Sequence, residues 1–189
     1  MIINYDKVKE FDSQGNIEMK SWVKQELPKY SLLDPKKKGM YGEQFFLSCL
    51  HERTGVKWNN NNDDHDFVIN GKKIELKFSV ASNKDGVGIV DKFTFNHIAT
   101  HKNWDYLVLI GINPPLELAH VRRGYEYEES VRAYAISKQD FVENLDYHLE
   151  QGLIKHQQGG KSGGLDDYIV GDYQKILEWK GIRPLHEII

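Results

Sequence analysis

The dipeptide Asn70-Gly71 is the feature that most constrains how this chain can fold. A two-residue hairpin turn of type I′ needs positive φ at both positions, and Asn-Gly tolerates that backbone conformation. The turn sets the register of the strands on either side, so that Ile69 faces Lys72. Counting outward from this pair, Asp66 falls directly opposite Glu75. The sequence therefore predicts a β-hairpin that brings two carboxylates together.

Alternation of side chains along the two strands places them on two faces of the hairpin. One face carries Asp66, Glu75 and Lys77. The opposite face is apolar and consists of Phe67, Ile69, Ile74, Leu76 and Phe78. Like charges directly opposite each other in a sheet are unfavourable by roughly 0.2–1 kcal/mol, and a divalent cation would offset that repulsion. Carboxylate oxygens suit Mg²⁺ or Mn²⁺, so we expect a metal site on the charged face. Mg²⁺ usually completes its shell with water and a substrate phosphate, and Lys77 can reach that phosphate.

A second interpretation of this pattern remains open. An aspartate followed by E-x-K arises often by chance, and acidic and basic residues commonly decorate the solvated face of an antiparallel hairpin. Asp63 and Asp64 also precede the first strand, so the choice of Asp66 depends on the register that the turn imposes.

The segment from Asp66 to Lys77 resembles the core of the PD-(D/E)XK nuclease superfamily, which includes many type II restriction endonucleases, Holliday-junction resolvases and repair nucleases. Asp66 stands at the first acid of the motif and Glu75-Leu76-Lys77 at its E-x-K, whereas His65 takes the place of the proline. The resemblance implies that Asp66, Glu75 and the backbone carbonyl of Leu76 bind the metal. It also implies that Lys77 orients the attacking water or stabilises charge on the phosphate.

Upstream of the hairpin, the sequence predicts an amphipathic helix from Met40 to Arg53, with Gly55 as its stop signal. Glu43 would then lie in the first turn. Members of the superfamily often carry such a helix, with a glutamate that contacts the metal or its water, and Glu43 matches that position. The alternative is that Glu43 only interacts favourably with the helix N-terminus, an effect of about 0.3–1 kcal/mol.

Downstream of the hairpin, the continuous apolar run from Tyr106 to Ile112 predicts a central strand covered on both faces. The segment from Ala133 to Phe141 predicts a short strand and then a helix that begins at Ser137, with Asp140 completing a capping box. A last helix is expected over Asp172 to Lys180, with Gly181 as its stop. With the resemblance, these elements imply an α/β fold with a restriction-endonuclease-like mixed central sheet flanked by helices.

Length and composition agree with one intracellular domain. A chain of 189 residues with 40% hydrophobic content can bury one sizeable core, so we treat 1–189 as a single nuclease domain with its catalytic core at about 39–141. No apolar segment approaches membrane-spanning length, and no secretory signal is visible. The single cysteine, Cys49, cannot form an internal disulfide. We expect a cytoplasmic protein without a membrane partner.

The net charge of −3 argues against a protein that coats DNA indiscriminately, because non-specific affinity comes mainly from phosphate neutralisation. Local contacts to double-stranded DNA are still expected, although each candidate residue taken singly is more typical of an ordinary solvated surface. These candidates are Lys36, Lys37, Lys38, Lys73, Asn96, His97, Lys155, Gln157 and Lys161.

Three of the surrounding segments carry further expectations. Asn96 and His97 are placed in a helix after the catalytic strands, and Ser82 to Val90 in a loop beside the site. Lys155 to Gly164 is expected to be a mobile glycine-rich loop. Its G-G-K-S lacks the spacing of a phosphate-binding loop, so no nucleotide cofactor is expected.

The resemblance implies a Mg²⁺-dependent endonuclease that hydrolyses DNA phosphodiester bonds, with Mn²⁺ able to substitute. A type II restriction endonuclease that cuts duplex DNA at a short sequence is the preferred role. A homodimer is expected, because two strands need two active centres. The alternatives are a repair or Holliday-junction nuclease of the same fold and a catalytically silent DNA-binding protein.

Overall fold

The computed structural model describes residues 8–11, 16–19, 35–50, 57–58, 64–81, 92–113, 130–157, 167–171 and 173–188. These residues form a mixed α/β structure with two sheets. The strands are β1 (Val8–Phe11), β2 (Asn16–Met19), β3 (Lys57–Trp58), β4 (Phe67–Ile69), β5 (Lys72–Val80), β6 (Phe95–Ala99), β7 (Tyr106–Asn113), β8 (Ser130–Ser137), β9 (Lys155–His156), β10 (Asp167–Val170) and β11 (Arg183–Pro184). The helices are α1 (Pro35–Leu50), α2 (Lys138–Glu143), α3 (Leu145–Glu150) and α4 (Tyr173–Leu177), followed by a 3-10 turn over Leu185–Glu187.

The larger sheet has the strand order β1-β2-β8-β7-β5-β4-β3, and β11 pairs with β8. Within it, β5 and β7 are parallel, whereas the other described strand pairs are antiparallel. The smaller sheet, β6-β10-β9, is antiparallel and was not predicted from the sequence.

The β4–β5 hairpin has the predicted register. Ile69 pairs with Lys72, and the ladder continues to the pair formed by Phe67 and Ile74. The turn residues Asn70 and Gly71 have φ of 49° and 78°, as a type I′ turn requires. The local turn chemistry is therefore sufficient to fix this part of the sheet.

The central strand β7 and the capped helix α2, which follows β8, are also confirmed. β7 lies between β5 and β8, and its residues from Leu107 to Asn113 are all buried. The Ser137 hydroxyl accepts a hydrogen bond from the Asp140 backbone N–H at 3.0 Å and donates to the Asp140 carboxylate at 2.7 Å. The preceding strand begins at Ser130, three residues before the predicted Ala133.

The larger sheet is covered on both faces. On one face α1 contacts the hairpin: the Phe46 and Phe67 ring centroids lie 5.6 Å apart. On the other face Leu107 and Leu109 of β7 belong to a buried cluster that also contains Phe141 from α2. Because side chains alternate along a strand, β5 residues paired with Leu107 and Leu109 face this second side. Those residues are Glu75 and Lys77.

The predicted start of the first helix was wrong. α1 begins at Pro35, five residues before the predicted Met40, so Glu43 lies in its third turn and not in its first. Proline is favoured at the first helical position because its missing N–H has no intrahelical partner there. The explanation of Glu43 as an acid at a helix N-terminus therefore has no basis. The expected end at Arg53, with Gly55 as stop, lies outside the described residues.

The C-terminal helix is shorter than predicted. α4 spans Tyr173–Leu177, and the next residues close tighter turns, with hydrogen bonds from Trp179 N to Ile176 O and from Ile182 N to Trp179 O. Asp172 lies outside the described residues, and Gly181 has the positive φ of 85° expected of a stop. Within the described parts of the chain, no helix is long and apolar enough to cross a membrane.

Candidate active site

A cleft of about 660 Å³ opens beside the edge of β5. β4 pairs with β5 only along Lys72–Ile74, so the rest of that edge has no partner among the described strands. The charged groups that line the cleft are Lys38, Glu43, Asp66, Glu75, Lys77 and Lys102. Phe95, Asn96 and His97 of the smaller sheet, with Thr94 just before β6, form the other wall. The edge of a central strand thus becomes the floor of a polar site.

Asp66 ends the hairpin ladder. Its backbone N–H donates to the Ile74 carbonyl at 2.8 Å, and its Oδ2 accepts from the Leu76 backbone N–H at 2.7 Å. The carboxylate therefore takes the place of a β4 backbone acceptor where the strand stops. Asp66 and Glu75 do not extend the paired ladder as predicted, yet both line the cleft.

Glu75 is the most deeply buried charge of the site, with 1% of its surface exposed. Its Oε1 accepts hydrogen bonds from Lys77 Nζ at 2.6 Å and from Lys102 Nζ at 3.3 Å. Its Oε2 is also buried, but has no hydrogen-bond partner among the described residues. Burial of an ionised carboxylate is costly unless its oxygens are paired. One oxygen of Glu75 thus remains available to a cation or a donor.

The carboxylates of the cleft act on one another. Burial, and then the charge of Glu75, raise the pKa of Asp66 above its ordinary value, although the Leu76 N–H opposes this. Burial, followed by the charges of Asp66 and Glu75, also raises the pKa of Glu43. Lys77 lowers the pKa of both groups without cancelling the rise. Additional positive charge in the cleft would therefore stabilise the ionised carboxylates.

These residues fit a divalent cation by the chemistry of their donor atoms. Within the described ranges, no three His, Cys, Asp or Glu side chains already form a metal-binding cluster. Mg²⁺ does not require one, because it usually binds one or two protein carboxylates and completes its shell with water and substrate phosphate. Such an ion would give Glu75 Oε2 a partner. It would also stabilise the ionised forms of Asp66 and Glu43, whose pKa values are raised.

The structure brings together most of the predicted site. Glu43, Asp66, Glu75, Leu76 and Lys77 all line the cleft. Of the predicted DNA contacts, Lys38, Asn96 and His97 line it as well, whereas Lys37, Lys73, Lys155 and Gln157 do not. The side chain of Lys36, residue Lys161 and the loop from Ser82 to Val90 lie outside the described residues.

Asn96 and His97 lie on a strand, so the prediction of a helix was wrong. In β6, Ile98 pairs with Tyr168 and Phe95 pairs with Val170, so two residues of β6 oppose the single residue Ile169. This extra residue is a β-bulge, which interrupts strict alternation and leaves both Asn96 and His97 exposed. The irregular pattern concealed the strand from an argument based on periodicity.

The predicted mobile loop from Lys155 to Gly164 begins as ordered structure. Lys155 and His156 form β9, and the Gln157 side chain contacts His97. The remainder of that segment, from residue 158 onward, lies outside the described residues.

Two functional candidates were missed. Lys102 lies 27 positions from Glu75 in a turn between β6 and β7, and it reaches Glu75 because β7 pairs with β5. Asp167 lies 70 positions from His97, and its Oδ2 is 2.9 Å from His97 Nδ1. No local pattern could have revealed either contact, because both depend on how distant strands pair.

Comparison with known proteins assigns no family to the chain. No protein-family model matches it, and none of the curated proteins matches it.

Proposed function

We propose that this protein is a metal-dependent nuclease that hydrolyses phosphodiester bonds of double-stranded DNA. Glu75 carries this proposal: its carboxylate is buried, one oxygen is held by two lysines, and the other has no partner among the described residues. Asp66 and Glu43 line the same cleft with pKa values raised by burial and by like charge. Such perturbed carboxylates in a cleft are typical of catalytic centres.

The lysines of the cleft fit a polyanionic substrate. Lys38, Lys77 and Lys102 line it together with the carboxylates. Lysine ammonium groups are common phosphate ligands, and local placement matters more than the overall charge of −3. A phosphate in the cleft would meet these positive side chains.

Glu43, Asp66 and Glu75, with the Leu76 carbonyl, are the groups that would hold Mg²⁺ or Mn²⁺. When bound, the cation would polarise the phosphate and lower the pKa of water. Lys77 Nζ, now 2.6 Å from Glu75 Oε1, would place a positive charge beside the oxygens that become more negative in the transition state. Asp66 would keep its position through the hydrogen bond from the Leu76 N–H.

The proposed fold is that of a restriction-endonuclease-like nuclease. Support comes from a mixed sheet in which the β4–β5 hairpin carries the acids and β5 runs parallel to the buried strand β7. We propose the role of a type II restriction endonuclease acting as a homodimer in the cytoplasm. The alternatives are a repair or junction nuclease and a silent DNA-binding protein, and the experiment below distinguishes them.

The test is cleavage of unmethylated plasmid and phage DNA by the purified protein with Mg²⁺ or Mn²⁺, with EDTA as a control. Glu75→Gln keeps the shape of the side chain but removes its charge, and should reduce cleavage at least about a hundredfold. Glu143→Gln is the matched control, because Glu143 is exposed on α2 and lies outside the cleft.

Discrete bands that disappear with EDTA and with Glu75→Gln support a sequence-specific endonuclease. Cleavage restricted to branched or damaged DNA would favour the repair or junction role. DNA binding without any cleavage would favour the silent protein. Full activity of a folded Glu75→Gln variant would overturn the site assignment.

A further inference from the structure

His97 occupies an unusual backbone position on the wall of the cleft. It lies in the bulge of β6 and has φ of 57°, a left-handed conformation that side chains other than glycine rarely adopt. The other described non-glycine residue with positive φ is Asn70, in the hairpin turn. Bulges and strained residues concentrate at functional sites because they aim a side chain where regular structure cannot.

A buried carboxylate lies behind the His97 ring. Asp167, on the neighbouring strand β10, is 5% exposed, and its Oδ2 is 2.9 Å from His97 Nδ1. The other oxygen, Oδ1, is buried without a hydrogen-bond partner among the described residues. The ring itself remains accessible, with 59% of its side chain exposed. Asp167 is therefore placed to hold the imidazole and to stabilise positive charge on it.

Gln157 identifies which ring nitrogen carries the proton. The His97 backbone N–H can only donate, so the Gln157 atom 2.7 Å from it is the amide oxygen. The Gln157 amide nitrogen must then be the atom 3.1 Å from His97 Nε2, and it can only donate. Nε2 is consequently the acceptor, and Nδ1–H donates to Asp167. The ring is held with an unprotonated Nε2.

We infer that His97 is the general base of the hydrolysis, an inference that rests on the proposed nuclease function. Water that replaces the Gln157 amide at Nε2 gives one proton to His97, while its oxygen forms a bond to phosphorus. The bond from phosphorus to the leaving ester oxygen breaks with its electron pair, and that oxygen takes a proton from solvent. Asp167 stabilises the imidazolium through Nδ1–H, and the imidazolium then returns its proton to solvent.

Other groups in the cleft are less suited to this role. Those that share it with His97 are Lys38, Glu43, Asp66, Glu75, Lys77 and Lys102. The lysines are cationic, and the carboxylates are the proposed ligands of the cation. Among the described residues that line the cleft, His97 is the one histidine. Asp167 contacts its Nδ1 atom.

The first test replaces His97 by glycine, which accepts positive φ and leaves room for free imidazole. His97→Gly should remain folded, lower kcat by about 10²- to 10⁴-fold and leave KM within about threefold. Added imidazole should restore part of kcat to this variant. It should not stimulate the wild type or His101→Ala, in which an exposed histidine outside the cleft is removed.

The second test addresses Asp167 as a positioning residue. In metal-free wild type, nitrogen-15 NMR of the histidine rings should show the Nδ1–H tautomer at His97. Asp167→Asn should change that tautomer and lower kcat by about tenfold or more, because an amide can donate to the ring where the carboxylate only accepts.

The outcomes separate this inference from the nuclease proposal. Wild-type cleavage together with full kcat in folded His97→Gly overturns the role of His97 and leaves the nuclease intact. A raised KM with unchanged kcat also overturns it, since His97 would then only bind DNA. An Nε2–H tautomer in the wild type contradicts it without reference to cleavage. If the wild type cleaves no DNA, both proposals fall.

Discussion

Two regions of the molecule bury ionisable groups, and they do so in opposite ways. His148, on α3, is fully buried, and its ring is stacked on that of Trp179 with centroids 5.6 Å apart. Its Nε2 accepts a hydrogen bond from the Lys180 backbone N–H at 3.1 Å. In the cleft, Glu75 is equally buried but sits among other carboxylates. The first region holds a neutral ring in an apolar cluster, whereas the second concentrates charge.

Burial disfavours the charged form of the ionisable group in both regions, and the two regions differ in the charges that lie nearby. Burial, and then the nearby charge of Lys180, lower the pKa of His148, so the ring stays neutral in the fold. Burial and like charge raise the pKa of Asp66 and Glu43, so ionisation of these groups opposes folding. An apolar surrounding therefore keeps a buried titratable group neutral, whereas neighbouring like charge leaves a buried carboxylate under-compensated and suited to a cationic ligand.

The largest expected effect lies in the apolar cluster. Phe141 is fully buried, and its ring lies 5.4 Å from that of Trp179 and 6.2 Å from that of Tyr168. Phe141→Ala should lower the free energy of unfolding by about 3–5 kcal/mol, measured by urea denaturation. Val142→Ala is the matched control, because the neighbouring side chain is 45% exposed and should change stability by no more than about 0.5 kcal/mol. Equal losses of stability in Phe141→Ala and Val142→Ala would show that this cluster does not stabilise the fold.

A smaller effect is expected where α1 meets the cleft. A Cβ added at Gly42 would lie 2.2 Å from Phe78 Cβ, so Gly42→Ala must push the helix away from β5 and displace Glu43. We expect a loss of about 1–3 kcal/mol and reduced metal-dependent cleavage. Gly39→Ala, one turn earlier, meets nothing within 4 Å and should be neutral or stabilising by up to about 1 kcal/mol. Tolerance of Gly42→Ala with full activity would contradict this placement of Glu43.

The next prediction concerns the pH dependence of stability in the apolar cluster. Because the folded-state pKa of His148 is lowered, its contribution to stability is present above the unfolded value of about 6.5 and is lost as pH falls through the folded-state pKa. His148→Gln keeps an acceptor near Lys180 but cannot titrate. Denaturation between pH 8 and pH 5 should therefore show a weaker loss of stability on acidification in the variant than in the wild type. Parallel curves would refute the prediction.

The cleft should respond with the opposite sign and the smallest effect. Because the folded-state pKa of Asp66 is raised, its contribution to stability is present below the unfolded value and is lost as pH rises through the folded-state pKa. Asp66→Asn can still accept from the Leu76 N–H, and removes repulsion of the size of a like-charge cross-strand pair, about 0.2–1 kcal/mol. We expect this variant to melt at a higher temperature than the wild type at pH 8, while losing cleavage. Destabilisation at pH 8 would indicate that the Asp66 carboxylate stabilises the fold.

The sequence predicted the parts of the molecule that follow from local rules. The Asn70-Gly71 turn, the register of β4 against β5 from Phe67 to Ile74, and the Ser137 cap each involve neighbours in the chain, and the structure agrees with all three. Glu43 was matched to the site, although its position in the helix was misjudged because the start at Pro35 was overlooked. The strand that carries His97 was missed because a bulge breaks its period.

By itself, the sequence determined a hairpin that presents Asp66, Glu75 and Lys77, since turn geometry and strand alternation act over a few residues. Only the tertiary structure decided that Lys102 reaches Glu75, and that Asp167 stands behind His97. Those contacts depend on the pairing of β5 with β7 and of β6 with β10. Strand pairing at such separations is selected by burial of the whole core, a property that no short segment of the chain contains.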